Sequence, residues 1–230
     1  MLSCVADIGT DHAHLPIWLV EQKITRSAIA MDLRSGPLLR AREHIGDHGL
    51  SEQIQVRQSD GLSELQKGEA EVIVIAGMGG ETMQGILERG AEVLGPETCL
   101  VLEPQSELYA FRAFLERKGA CFLAEDMICE DGKYYPMMLV RFDAGKKWAP
   151  YELKYGPLLL KEKHPVLQAY LTVQLEKKES LLAHIGHSLK GTDPESDRER
   201  RRAGRQRELE EEIGEIRRIL RDRFKEEVFQ

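Results

Sequence analysis

Residues 5–14 have the sequence Val-Ala-Asp-Ile-Gly-Thr-Asp-His-Ala-His and join a short apolar run to a predicted helix through Asp7 and Gly9. A strand that ends in an acid and a glycine just before a helix is typical of nucleotide-like ligand sites in α/β folds. A dinucleotide site would need glycines in place of Asp11 and Ala13, and the carboxylate of Asp11 would repel a pyrophosphate. S-Adenosylmethionine fits these residues better, because it has no phosphate and carries a sulfonium and an ammonium group.

Two further acids follow later predicted strands. Asp32 closes the second strand, where an acid bonds ribose hydroxyls in dinucleotide and methyl-donor sites. Asp60 and Gly61 close the third strand, where the carboxylate can accept from an adenine amine and the glycine lets the ring lie flat against the backbone. Each acid taken alone is better explained as a helix cap or a turn residue. Acids on three successive strand ends together favour ligand binding.

The end of the predicted fourth strand, residues 75–80, has the sequence Ile-Ala-Gly-Met-Gly-Gly. Enzymes that methylate an exocyclic amine usually have Asn or Asp followed by Pro-Pro here, so that oxygens hold the amine hydrogens. Ala76, Gly77, Met78 and Gly79 offer only backbone groups and one thioether, which suits a ring nitrogen with a free lone pair, such as N1 of adenine. The segment is also explained as a strand-to-helix turn that needs glycine, and both interpretations can hold.

Short β-rich runs alternate with helical patterns, which predicts a parallel sheet built from βα units. Strands are predicted at residues 4–7, 28–32, 55–59, 72–76 and 100–103, followed by an antiparallel hairpin of residues 120–129 and 134–142. Helices are predicted at about residues 15–22, 37–48, 80–94 and 107–118. Seven strands with a terminal hairpin indicate, by analogy of fold, the Rossmann-like sheet of class I methyltransferases.

Beyond residue 150 the pattern is helical only. Pro165 is predicted to start a helix with a near-heptad apolar stripe: Leu167, Leu171, Leu175, Leu182, Ile185 and Leu189. Gly191 and the pair Asp193-Pro194 predict a turn, after which a second helix carries Leu209, Ile213, Ile216 and Leu220. We therefore expect a catalytic domain at residues 1–150 and an antiparallel coiled-coil hairpin at residues 151–230.

Six arginines cluster at the start of the second helix: Arg198, Arg200, Arg201, Arg202, Arg205 and Arg207. The cluster is explained equally well by a solvated helix face with local ion pairs and by contact with nucleic acid. The net charge of −7 comes from residues 1–150, whereas residues 151–230 are close to neutral. A polyanionic partner would therefore prefer the C-terminal part or a local patch.

Composition limits the remaining possibilities. With 230 residues, 42% of them hydrophobic, the chain can bury one full α/β core plus an appendage. The four cysteines form no close CxxC pair, which favours reduced thiols and a cytoplasmic protein. No run approaches the roughly 18 apolar residues of a membrane span. His12 and His14 have no acid or cysteine at ligand spacing, so we expect no metal.

Several of these segments resemble the bacterial tRNA adenine-22 N1-methyltransferases (TrmK). The similarity includes the Asp-His-Ala and Ala-Gly-Met-Gly-Gly motifs and covers essentially the whole chain, at residues 5–16, 56–61, 75–80, 102–105, 130–133, 156–159 and 161–163. It implies a class I methyltransferase domain with a C-terminal coiled coil that helps to hold tRNA. One departure is that family members usually carry a helical segment before the first strand, so we expect a shortened start that lacks part of the substrate surface.

The resemblance implies in-line methyl transfer to adenine N1, which needs a flipped and aligned base but no general base. The residues expected to bind the donor are Asp7, Ile8, Gly9, Asp11, His12, Asp32, Leu33, Asp60, Gly61, Ala76, Gly77 and Met78. Those expected to bind tRNA are Met78, Gly79, Pro104, Gln105, Arg200, Arg201 and Arg202. Asp11, near the donor, and Gln105, at the Watson–Crick edge, are the candidate catalytic residues. Asp11 is explained equally well as the cap of the first helix.

Two other function classes stay open from the sequence. A class I methyltransferase for another RNA, a small molecule or a protein would share the donor site. A small-molecule enzyme would, however, be expected to have a lid rather than a long arginine-bearing hairpin. A non-catalytic donor-binding module or scaffold would be favoured by loss of the strand-end acids, which are present. The sequence does not decide the oligomeric state, for which we expect a monomer.

Overall fold

The computed structural model describes residues 1–187 and 197–224. The chain divides into two compact units, the first spanning Met1–Leu158 and the second beginning at Leu159. The predicted turn with Leu189, Gly191 and Asp193-Pro194 lies outside the described residues.

The first unit is built on a seven-stranded sheet with the order β3-β2-β1-β4-β5-β7-β6. Its strands are β1 Leu2–Ile8, β2 Thr25–Asp32, β3 Ile54–Gln58, β4 Val72–Met78, β5 Cys99–Pro104, β6 Ala120–Glu130 and β7 Lys133–Phe142. The first five strands pair in parallel, and β7 runs antiparallel to both β5 and β6. The Rossmann-like sheet and all seven predicted strands are confirmed. The central strands β1 and β2 contain continuous buried runs, as expected for parallel strands covered on both faces.

The helices of the chain are α1 His14–Glu21, α2 Ser35–Asp47, α3 Gly80–Arg89, α4 Leu108–Arg117, α5 Pro150–Tyr155, α6 Pro157–Lys161, α7 Pro165–His187 and α8 Asp197–Ile219. A π-helical turn, Leu220–Phe224, follows α8. The prediction that α3 continues to residue 94 is wrong. Gly90 ends the helix, and Leu62 packs where a side chain at residue 90 would lie, with Cβ only 2.5 Å from Leu62 Cβ. The two short helices α5 and α6 were not predicted.

The core of the first unit lies on both faces of the sheet. One cluster packs Ile73, Ile75 and Leu100 against Phe111 and Leu115 of α4. The other packs strand residues against α1 and α2 and includes Ala13, Ile17, Ala28, Ala30 and Ile45. Because helices cover both faces of the parallel strands, a ligand reaches these strands at their carboxyl ends.

A buried ion pair connects α4, β6 and the segment after β7. Arg112 Nε donates to Glu125 Oε1 at 2.9 Å, and the two side chains are 1% and 0% exposed. Arg112 Nη1 also donates to the carbonyl of Leu153 at 3.3 Å, and Glu125 Oε2 accepts from the Leu158 backbone N–H at 2.8 Å. Each charge is thus desolvated but hydrogen-bonded, which makes the pair sensitive to the loss of either partner.

The second unit contains α7 and α8, which pack against each other. The apolar stripes predicted for both helices are buried at Leu167, Leu171, Leu175, Leu209, Ile213, Ile216 and Leu220. A groove between the helices is lined by Leu182 and Ala183 of α7 and by Gln206 and Glu210 of α8, which indicates an antiparallel pair. The helical hairpin is therefore present in the described residues, and its coiled-coil packing stays a prediction.

None of the helices in residues 1–187 and 197–224 combines the length and hydrophobicity that crossing a membrane requires.

Candidate active site

The sheet topology places the site between β1 and β4. These two strands are neighbours in the sheet, although β2 and β3 lie between them in the chain. The connections from β1 and β4 leave toward opposite edges of the sheet, and this reversal opens a crevice at the carboxyl ends of the strands. The predicted donor residues of the first, second and fourth strands all lie at this end of the sheet.

Gly9 and Met78 bring the ends of β1 and β4 together. Gly9 has φ +82°, in the left-handed region that glycine adopts without strain. A Cβ at this position would lie 2.1 Å from Met78 Cε, so the thioether occupies the space that a side chain would need. The N–H groups of Gly9 and Thr10 both donate to the carbonyl of Met31 at 2.8 Å, which fixes the turn against β2.

Asp7 is the most strongly perturbed acid of this edge. Burial raises its pKa to about 6, the nearby Thr10 hydroxyl lowers it, and the negative charge of Asp32 raises it further. Both carboxylates are less than 10% exposed, at 9% for Asp7 and 8% for Asp32. A cationic or hydrogen-bond-donating ligand would stabilise the charged form of this pair, whereas an anionic ligand would be repelled.

Asp32 and Asp60 occupy the ends of β2 and β3, as predicted. Asp32 Oδ1 accepts from the backbone N–H of Arg34 at 2.7 Å, which orients the carboxylate at the start of α2. Asp60 is exposed and pairs with Arg89 of α3 at 3.1 Å. Gly61 has φ +59°, and a Cβ there would lie 2.9 Å from Ile86 Cγ2, so the chain passes close to α3.

The segment between β1 and α1 places Asp11 on the rim of the crevice. Its side chain is 70% exposed and pairs with Arg40 at 3.4 Å. The residue at the N-cap position of α1 is Ala13, and no side chain caps this helix. The alternative that Asp11 caps the first helix is therefore wrong. His12 and Ala13 both have left-handed backbone angles, with φ 55° and 56°, and Arg40 Nε donates to His12 Nε2 at 3.1 Å.

Two hydrogen bonds join the carboxyl ends of β4 and β5. The Gly77 N–H donates to Glu103 Oε2 at 2.7 Å, and the Gln105 N–H donates to the carbonyl of Met78 at 2.8 Å. The amide nitrogen of Gln105 lies 3.9 Å from the position that a Cβ on Gly77 would occupy. The structure thus brings Gly77, Met78 and Gln105 together, as their positions at neighbouring strand ends predicted.

Glu103 is the residue of this edge that sequence reasoning missed. Burial raises the pKa of its carboxyl, and the hydrogen bond from Gly77 partly offsets this effect. Its second oxygen, Oε1, is buried and has no hydrogen-bond partner among the described residues. The available signal was its position as the last residue of the predicted fifth strand, residues 100–103, since ligands bind at the carboxyl ends of such strands.

The remaining predicted residues divide between the two units. Ile8 and Pro104 are buried at strand ends, Leu33 is 60% exposed next to Asp32, and Ala76 is exposed. Gly79 precedes α3, and a Cβ there would lie 3.0 Å from Ser106 Oγ. The three arginines of the predicted tRNA contact lie on α8 of the second unit, at Arg200, Arg201 and Arg202.

Comparison with known proteins shows that the chain is similar to one protein family. The model of the family TrmK, described as tRNA (adenine(22)-N(1))-methyltransferase, matches residues 5–217 of the chain. The tRNA (adenine(22)-N(1))-methyltransferase of Bacillus subtilis (strain 168) is 36% identical over 191 residues, which cover 80% of this chain and 79% of that protein.

Solved structures show the same similarity. The crystal structure of the Bacillus subtilis tRNA methyltransferase TrmK is 31% identical, with a TM-score of 0.77 over 95% of this chain and 92% of that chain. Streptococcus pneumoniae Sp1610, solved in complex with S-adenosyl-L-methionine, is 32% identical, with a TM-score of 0.79 over 94% of this chain and 91% of that chain. Both similarities extend across most of the two chains compared.

Proposed function

The chain belongs to the tRNA (adenine(22)-N(1))-methyltransferase family, and on that premise we propose that it methylates N1 of adenosine 22 in tRNA, with S-adenosylmethionine as the methyl donor. The observation that carries the proposal is the crevice between β1 and β4. There a buried pair of acids, Asp7 and Asp32, lies at the same sheet edge as the Gly77–Gly79 loop. As an enzyme of tRNA modification, it would work in the cytoplasm.

The donor-binding residues fit a ligand with ribose hydroxyls and positive charge. Asp32 accepts a hydrogen bond from the Arg34 N–H and would also accept from ribose hydroxyls of the donor. Asp60 and Gly61 would meet the adenine ring, with Leu33 along its face. Burial raises the pKa of Asp7 to about 6, so a nearby cation would favour its charged form. Ile8, Gly9, Asp11, His12, Ala76, Gly77 and Met78 would complete the contacts.

The donor supplies an electrophilic methyl group on a sulfonium, and neutral adenine offers the N1 lone pair, so no general base is required. The protein must therefore align the base and stabilise the positive charge that develops on its ring. Met78 and Gly79 would form a platform beside the ring, next to Pro104. Gln105 would bond the Watson–Crick edge, and the exposed carboxylate of Asp11 would act on charge near the donor.

The second unit would supply contacts to the tRNA backbone. Arg200 and Arg201 are exposed on α8, and Arg202 is partly buried beside them. Arginine contacts to phosphates are independent of sequence and position the nucleic acid. We propose that a monomer suffices, because one chain contains all the proposed donor and tRNA residues.

The direct test is the position of the methyl group. Incubation of tRNA with the protein and labelled donor should yield N1-methyladenosine at position 22, identified by mass spectrometry of digested tRNA. Reverse transcription should stop or misincorporate at that nucleotide, because the methyl group blocks the Watson–Crick edge. N6-Methyladenosine formed before any alkaline treatment, or methyl only on guanosine, would contradict the N1 assignment.

Asp32→Ala is expected to weaken donor binding about tenfold or more, because hydrogen bonds to a charged acceptor contribute about 1.5 to 3 kcal/mol. Isothermal titration calorimetry with S-adenosylhomocysteine measures the change. Asp47→Ala serves as the matched control, since it removes an equally charged but exposed side chain at the end of α2. Equal affinities of two folded variants would remove Asp32 from the donor site.

A further inference from the structure

One oxygen of the Glu103 carboxylate accepts a hydrogen bond, and the other has no hydrogen-bond partner among the described residues. Oε2 accepts from the Gly77 N–H at 2.7 Å, and Oε1 is buried without a hydrogen-bond partner in the part of the chain that the structure describes. A buried acceptor without a donor is unfavourable, and such groups in folded proteins require an explanation. Glu103 lies at the carboxyl end of β5, opposite Ala76 in the sheet register, and thus at the edge where ligands enter.

The neighbours of Glu103 belong to the proposed substrate platform. Gly77 and Met78 are the last two residues of β4, and Gln105 lies two residues beyond Glu103 along the chain, just after β5. The side chain of Gln105 is exposed, and its amide nitrogen lies 3.9 Å from the Cβ position of Gly77. An exposed side chain changes rotamer easily, so Gln105 can turn to admit a base to this edge of the sheet and still bond it.

We propose that Glu103 Oε1 accepts a hydrogen bond from the exocyclic N6 amine of the target adenine and so selects adenine over guanine. This inference rests on the proposed function, and it names Glu103 as the residue that recognises the target adenine. Adenine presents an N–H donor at this position, whereas guanine presents the O6 acceptor, which a carboxylate repels. The residues Ala76–Gly79 have no side-chain acceptor of their own, and Glu103 supplies one from the neighbouring strand.

The same hydrogen bond strengthens during the reaction. Methylation of N1 places a positive charge on the adenine ring, which makes the N6 hydrogens better donors. A carboxylate fixed beside the amine therefore stabilises the transition state more than the bound substrate. Gly77 holds the other oxygen, so this carboxylate does not have to reorganise.

The test varies both partners of the proposed hydrogen bond. Wild-type protein, Glu103→Ala and Glu103→Gln are assayed on two tRNAs that carry adenosine or purine riboside at position 22. Purine riboside keeps N1 but lacks the amine, and kcat/KM is measured by transfer of tritiated methyl. Affinity for S-adenosylhomocysteine is measured in parallel. Glu71→Gln is the control, because it neutralises an exposed carboxylate that also accepts a backbone hydrogen bond, in this case from the Ser3 N–H.

Both Glu103 variants should lower kcat/KM on the adenosine tRNA by about 10-fold to 100-fold, the range for a hydrogen bond to a charged group. Their kcat/KM on the purine riboside tRNA and their affinity for S-adenosylhomocysteine should stay close to wild type. Glutamine should not rescue, because an amide has one acceptor oxygen and cannot serve both the Gly77 N–H and the adenine amine. Glu71→Gln should behave as wild type on both tRNAs.

Three results would overturn this assignment. Equal losses on the two tRNAs would mean that Glu103 acts through the Gly77 loop and not through the amine. Full activity of Glu103→Gln would mean that only one acceptor oxygen is needed. A loss of affinity for S-adenosylhomocysteine that accounts for the lower kcat/KM would mean that Glu103 Oε1 bonds the donor and not the adenine. Absence of any methyl transfer to adenosine 22 by the wild type would instead reject the proposed function, and the Glu103 inference with it.

Discussion

Glu125→Ala is expected to lower the free energy of unfolding of the first unit by about 3 to 5 kcal/mol. The substitution leaves the Arg112 guanidinium buried at 1% exposure without its counter-charge. It also removes the acceptor of the Leu158 N–H. Urea denaturation followed by tryptophan fluorescence measures the change, because Trp18 and Trp148 both lie in the first unit.

Two further variants separate loss of the ion pair from loss of packing. The double substitution Arg112→Met with Glu125→Leu should recover most of the lost stability, because a hydrophobic pair of similar volume often replaces a buried ion pair without cost. Glu88→Ala breaks the pair with Lys118, whose side chains are 54% and 50% exposed, and should cost less than about 1 kcal/mol. Equal destabilisation by Glu125→Ala and Glu88→Ala would contradict the account of this pair.

Replacement of Arg200, Arg201 and Arg202 by alanine is expected to weaken tRNA binding by about 100-fold to 1,000-fold near 0.1 M salt. Each arginine that binds a phosphate displaces a counterion. The slope of log affinity against log salt should therefore fall by about 0.7 to 0.9 for each phosphate that is no longer neutralised. Filter binding at several salt concentrations measures both quantities. Affinity for S-adenosylhomocysteine should not change, because the proposed donor residues lie in the first unit.

The charge-matched control replaces three other arginines of the C-terminal helices, Arg217, Arg218 and Arg221, by alanine. Arg217 pairs with Glu179, and Arg221 with Asp222, and these arginines lie near the C-terminal end of α8, away from the cluster near its start. This triple variant should change the slope less. An identical slope for wild type and the Arg200, Arg201 and Arg202 variant would support a solvated helix face for the cluster.

Secondary structure followed from the sequence where the signal is local. Runs such as Val72–Met78 are apolar and β-branched, and turn residues bound them, so the strands and their order along the chain were predictable. The acids Asp7 and Asp32 were likewise assigned to the ligand edge, because a residue at the carboxyl end of a parallel strand lies at that edge whatever the packing. The periodicity of α7 and α8 predicted most of the buried leucines and isoleucines, but Leu182 and Ile185 of the predicted stripe are only partly buried.

Interactions between distant residues were not predictable in the same way. Helix α3 ends at Arg89, and Leu62 fills the space beside the following Gly90, although Leu62 and Gly90 are far apart in the chain. Helix α1 begins at His14 with Ala13 at the N-cap position and no side-chain cap, and Asp11 pairs instead with Arg40 of α2. In both cases propensity and spacing allowed more than one outcome, and packing selected one.

The sequence by itself therefore determined the α/β class, the edge that carries the chemistry and the family resemblance, because these depend on residue type and short-range period. Only the tertiary structure decided that Glu103 of β5 accepts a hydrogen bond from the Gly77 N–H of the neighbouring strand β4. The second oxygen of Glu103 has no partner among the described residues. The tertiary structure also decided that Arg112 and Glu125 form a buried pair. Hydrogen bonds and desolvation depend on which atoms are in contact. Strand register and helix packing determine those contacts, and neither can be derived from local sequence.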